Sequence, residues 1–265
     1  MQLSFVFNKM PVEPGNPIQY FWLVDNKLFN VNQLLDKQLT IKYTGNIYCI
    51  KCGRKTSKSF SQGFCYPCFS TAPEAEECVL RPELCQAHLG IARDIEFAKE
   101  HCLIDHFVYL ASTDKIKVGI TRNTQIPFRW IDQGASAAIK IACTPNRFTA
   151  GLIEVALKKI LPDKTNWRTM LTNNVLENPD FDVIIRHMNN ALPEDLQKYL
   201  IQNEEAERLH YPVNEYPGKV NSLDLEKTPE IKGILKGIKG QYLLFQGGGV
   251  LNVRKFGGYD VEVVF

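Results

Sequence analysis

Two pairs of cysteines, Cys49-x-x-Cys52 and Cys65-x-x-Cys68, are separated by twelve residues. Each C-x-x-C turn presents two thiolates on one side of a tight knuckle, and two knuckles supply the four soft ligands that tetrahedral zinc requires. Gly53, directly after the second cysteine, gives the first knuckle a permissive backbone. A second group, Cys78, Cys85 and His88, finds its fourth ligand in Cys102 or in one of His101 and His106. Cys85-x-x-His88 has the short spacing of a ligand pair. Both sites read as structural zinc, because a closed cysteine-rich site leaves no coordination position for water. Their metal would hold together a segment too polar to fold by burial alone. Cys143 has no partner in sequence and reads as core.

The chain that must carry these groups has 265 residues, 45% hydrophobic and 23% charged, which excludes wholesale disorder. No apolar stretch approaches the roughly 20 residues of a membrane-spanning helix. The first nine residues carry a lysine too early for a secretory signal. Eight cysteines without such a signal argue for reduced thiols in a cytoplasmic setting rather than four disulfides.

Residues 1–46 read as strands, with Leu3, Phe5 and Phe7 alternating and an Asp25-Asn26-Lys27 turn between two apolar runs. Residues 217–265 read likewise, with Tyr259, Val261, Val263 and Phe265 on one face. The two β-rich ends are expected to pair into a small barrel or sandwich. Residues 47–104 form the cysteine-rich module, and 105–216 an α/β part. In that part, strands around 107–111 and 115–120 are followed by a helix beginning near Thr124. A second helix is expected over 149–161, with Ile153, Ala156, Leu157, Ile160 and Leu161 on its apolar stripe. The fold class is α+β.

The formal net charge of +2 conceals an uneven distribution. Residues 107–168 hold ten bases against four acids, a local +6, which leaves −4 for the remainder. A basic segment within a near-neutral chain is the footprint of a polyanion partner.

In this segment the order strand, turn, strand, helix with Arg129, helix with Glu154 resembles the GIY-YIG nuclease core. Val108-Tyr109-Leu110 and Lys117-Val118-Gly119 stand where the signature strands would be. Glu154, Leu157, Lys158-Lys159, Pro162 and Asn166 are similar to the family's glutamate-to-asparagine block. The resemblance covers residues 105–170. The wider arrangement resembles a bacterial family of unknown function that joins a zinc ribbon to such a core. The nuclease-core resemblance implies that Tyr109 activates water, Arg129 grips the scissile phosphate and Glu154 holds Mg²⁺; together with the local basic excess it makes Lys115, Lys117, Arg122, Asn166 and Arg168 the expected contacts to DNA or RNA. One departure is that Lys117 replaces the second signature tyrosine. The readings therefore divide among a Mg²⁺-dependent endonuclease, a non-catalytic nucleic-acid binder and a zinc-stabilised interaction scaffold.

Overall fold

The computed structural model describes residues 1–176 and 179–265. The chain divides into two compact units, one of Met1–Ser70, Leu171–Asn173 and His210–Phe265, the other of Thr71–Met170 and Asn174–Leu209. The division at Ser70 cuts through the 47–104 module, so the first four cysteines and the next three lie in different units.

In the first unit the two ends of the chain share one eight-stranded sheet. Its order is Gln2–Val6, Tyr259–Val264, Gln38–Tyr48, Glu230–Lys239, Tyr242–Phe245, Gly249–Asn252, Asn221–Ser222, with Lys55–Thr56 paired beside Gln38–Tyr48. Period-two alternation places Phe5 opposite Val261 and Val263 opposite Ile41, all buried. The expected barrel does not form, because among the described residues the strand path ends at Gln2–Val6 on one side and Asn221–Ser222 on the other. A small second sheet, Val12–Glu13, Gln19–Val24 and Lys27–Asn30, covers apolar surface instead. Its Trp22 ring lies 5.4 Å from Phe5 and 6.4 Å from Phe7. Asp25 and Asn26 turn its hairpin with φ of 48° and 61°, the conformation that short polar residues tolerate in a two-residue turn.

In the second unit the antiparallel sheet runs Glu207–Arg208, Ala137–Thr144, His106–Ser112, Ile116–Arg122. The helix Arg147–Leu157 lays Ala150, Ile153 and Leu157 over Val108, Leu110, Val118, Ile139 and Ile141. Asn146 caps it by accepting the Thr149 N–H at 2.8 Å. The helix stops at Leu157, short of the expected 161, although Leu161 still packs on the same core. The strand Ala137–Thr144 is an element the apolar pattern did not announce. No helix among the described residues is long and apolar enough to cross a membrane.

Candidate functional site

Cys49, Cys52, Cys65 and Cys68 bring their sulfur atoms within 4.8 Å of one another. Two thiolates bound to one zinc at about 2.3 Å must stand about 3.8 Å apart in a tetrahedron, and Cys52 and Cys65 are separated by 3.8 Å. The backbone builds the pocket: Cys49 N–H donates to Arg54 O at 2.9 Å and Gly53 N–H to Cys49 O at 2.8 Å, closing the first knuckle. Burial works to raise the Cys49 thiol, but backbone N–H groups of Cys65, Cys52 and Lys51 outweigh it and hold the pKa to about 6. Cys68, sharing hydrogen bonds with Cys65 first and then Cys52 and Cys49, is pushed up to about 12. Thiols crowded in this way can bind a metal such as zinc, which needs them deprotonated.

Cys78, Cys85 and Cys102 form the second cluster, all buried and within the same 4.8 Å of one another. His88 is not part of it. Its ring is exposed and stacks on Phe148 with centroids 4.3 Å apart. Of the alternative histidines, His101 Nδ1 lies 3.0 Å from Phe97 O and His106 Nδ1 lies 2.8 Å from Ile104 O, while the buried His106 Nε2 has no hydrogen-bond partner. Arg147, which the spacing did not single out, organises the surroundings. Its backbone N–H donates to Cys102 O at 2.8 Å, and its guanidinium donates to Cys78 O at 3.3 Å and His101 O at 3.4 Å. On the same helix, Gly151 allows Pro82–Leu84 to press against it; a Cβ there would come 2.4 Å from Glu83 N. The three thiols are thus carried on separate short elements and pinned by one helix. A cavity of about 180 Å³ beside them is lined by Cys78, Cys102, His101, Arg122 and Arg147.

The remaining predicted residues gather around Tyr109. Tyr109 pairs with Gly119 across the hairpin, and a Cβ at 119 would come 2.6 Å from the tyrosine hydroxyl. That hydroxyl accepts a hydrogen bond from Gln133 Nε2 at 2.5 Å, and Tyr109 has no exposed surface. Burial raises its pKa against the opposing pull of Arg129 and Gln133. Lys117, two residues from Gly119 on the same face, is buried, and desolvation followed by repulsion from Arg129 lowers its pKa to about 8. Glu154 is 8% exposed, its carboxyl pKa is raised by burial, and its Oε2 lies 3.2 Å from Lys158 Nζ. Lys158 also reaches Asp163 at 3.4 Å. Tyr109, Lys117, Arg129 and Glu154 therefore lie within one electrostatic neighbourhood, and it is close to charge-balanced.

Asn166 lies outside that neighbourhood's centre. Its N–H donates to Asp114 Oδ1 at 3.1 Å, and its own Oδ1 accepts the Arg168 N–H at 3.2 Å. Thr165 Oγ1 donates to Thr113 Oγ1 at 3.3 Å. The hairpin turn is thereby tied to the 165–168 segment. Lys115, Lys164 and Arg168, all exposed, come to one end of the sheet, with the Arg168 guanidinium 4.3 Å over Trp167. Arg122 is not with them. It sits at the far end of its strand, facing the second thiol cluster.

Fold and sites together define a mixed α+β protein with two thiol clusters that could each hold a metal ion. The chain belongs to the DUF2797 family, whose model, a protein of unknown function, matches residues 36–261. No curated protein and no solved structure matches it.

Proposed function

We propose that this protein binds nucleic acid through the exposed basic end of a GIY-YIG-like core, holds structural zinc at its thiol clusters, and does not cleave what it binds. The observation that carries the reading is the tie between the Thr113–Lys115 turn and residues 165–168. It gathers Lys115, Lys164 and Arg168 beside an aromatic ring on one surface. Clustered bases that can each neutralise a phosphate are what a polyanion partner requires. Binding is favoured over cleavage by the state of the reacting groups. A tyrosine base needs a lowered pKa and access to water, whereas the Tyr109 hydroxyl is enclosed, hydrogen-bonded and raised in pKa. A cation at Glu154 would have to displace the Lys158 ammonium.

The test is titration of DNA and RNA over a range of salt, with and without Mg²⁺. Salt-sensitive binding is expected, with a log–log slope that falls by about 2 in the Lys115→Ala/Arg168→Ala double variant. Binding indifferent to salt, or to that double variant, overturns the binding reading. Mg²⁺-dependent cleavage that disappears in Glu154→Ala overturns the non-cleaving part.

A further inference from the structure

We infer that the segment around the first thiol cluster is a stacking platform for an unpaired nucleic-acid strand. The inference rests on the reading that the protein binds nucleic acid, and it adds a second surface and a strand class.

Three aromatic rings meet on this segment. Phe60 is stacked on Phe69, with centroids 5.8 Å apart and planes 21° from parallel, and meets Tyr66 edge-on at 5.5 Å. Tyr66 and Phe69 directly follow Cys65 and Cys68, so a metal that fixes the second knuckle also fixes both rings. Tyr66 is 62% exposed and Phe69 36% exposed. Large rings packed on one another yet exposed at the surface offer contact area to a partner. Lys58 Nζ lies 5.3 Å over the Phe60 ring.

The charge selects the partner. Residues 47–70 contain Lys51, Arg54, Lys55 and Lys58 and no acidic residue. Even against the 2− of a zinc tetrathiolate, four bases leave the segment cationic. Exposed rings within a positive field match a strand that offers both phosphates and base faces. The faces of paired bases are covered by their neighbours in the stack, so the rings select unpaired strands. An acidic peptide could satisfy the charge but would leave Tyr66 and Phe69 without planar partners.

The test uses the full zinc-loaded chain and fluorescence anisotropy with four probes: oligo(dT), an abasic strand of equal length, a duplex, and an acidic peptide. Oligo(dT) is expected to bind most tightly. The Tyr66→Ala/Phe69→Ala variant should weaken it about tenfold or more while changing the abasic strand little. Should that variant lose zinc, Tyr66→Leu/Phe69→Leu keeps the apolar bulk without the π-face and is judged by the same criterion. Equal affinity for oligo(dT) and the abasic strand overturns the platform, as does tighter binding of the duplex or the acidic peptide. So does a ring variant that binds as the wild type while Lys115→Ala/Arg168→Ala does not, although in that case the nucleic-acid reading stands. Failure of the wild type to bind any nucleic-acid probe overturns both.

Discussion

The two thiol clusters solve the same problem in opposite ways. The first uses two short knuckles, close in sequence, with Cys49 and Cys65 buried, Cys68 half-buried and Cys52 exposed. The second collects Cys78, Cys85 and Cys102, all buried, beside Ala87, Ala98, Leu103 and Phe148. Where the ligands come from two short knuckles alone, the metal must supply most of the local folding energy. Where an apolar cluster and a helix already hold the thiols, the metal adds to a structure that partly persists without it.

Chelation gives the largest expected contrast. Structural zinc contributes on the order of 10 kcal/mol to small metal modules. Removing it should therefore abolish hydrogen-exchange protection around 47–70 while protection near 78–102 falls only in part. Equal loss in both would break the comparison.

Acid should act on the second unit through His106. Burial pushes its pKa down to about 4, below the ordinary 6.5. As pH falls through 6.5 the unfolded state takes up a proton that the folded state refuses, so stability is lost between about 6.5 and 4, by up to about 3 kcal/mol. With metal already removed by chelator, so that its release does not contribute, denaturant midpoints against pH should show this slope, and His106→Leu should flatten it. A slope unchanged in His106→Leu would place the titration elsewhere. The smallest expected effect is that of Arg147→Met, about 2 kcal/mol, since it strips donors from Cys78 O and His101 O. The first cluster's metal affinity should not change in that variant; a change would mean that the clusters are not independent.

The first cluster was legible because its ligands come from local knuckles whose spacing is itself the geometry. The second was only half legible. Cys85-x-x-His88 has ligand spacing, yet the His88 ring is taken by Phe148, sixty residues on, and no local pattern announces that stack. The Tyr109 neighbourhood was expected from the resemblance to a nuclease core, and the strand register, with Tyr109 opposite Gly119, puts Lys117 on the same side. Arg122 was grouped with the phosphate contacts through the resemblance and the basic count of its segment. Its strand runs Ile116–Arg122, and at about 3.3 Å per residue the two ends are roughly 20 Å apart. The +6 count also overstated the basic surface. Lys158 is paired with Glu154 and Asp163, Lys140 with Glu204, and Lys117 is buried. The strand Ala137–Thr144 escaped because most of its residues are buried on both faces, so it shows little alternation.

The interleaving of the two units has a consequence for synthesis. The central strand Gln38–Tyr48 pairs with Glu230–Lys239 and Tyr259–Val264, about 180 or more residues later in the chain. At about 5–20 residues per second, a ribosome takes roughly 10–40 s to deliver those partners. Through that interval the whole of Thr71–Met170 emerges, while Leu39 and Ile41 wait on an unpaired edge. Nascent chains stalled before residue 230 should accordingly recruit chaperones at that strand, and release of the remaining thirty-six residues should end the recruitment.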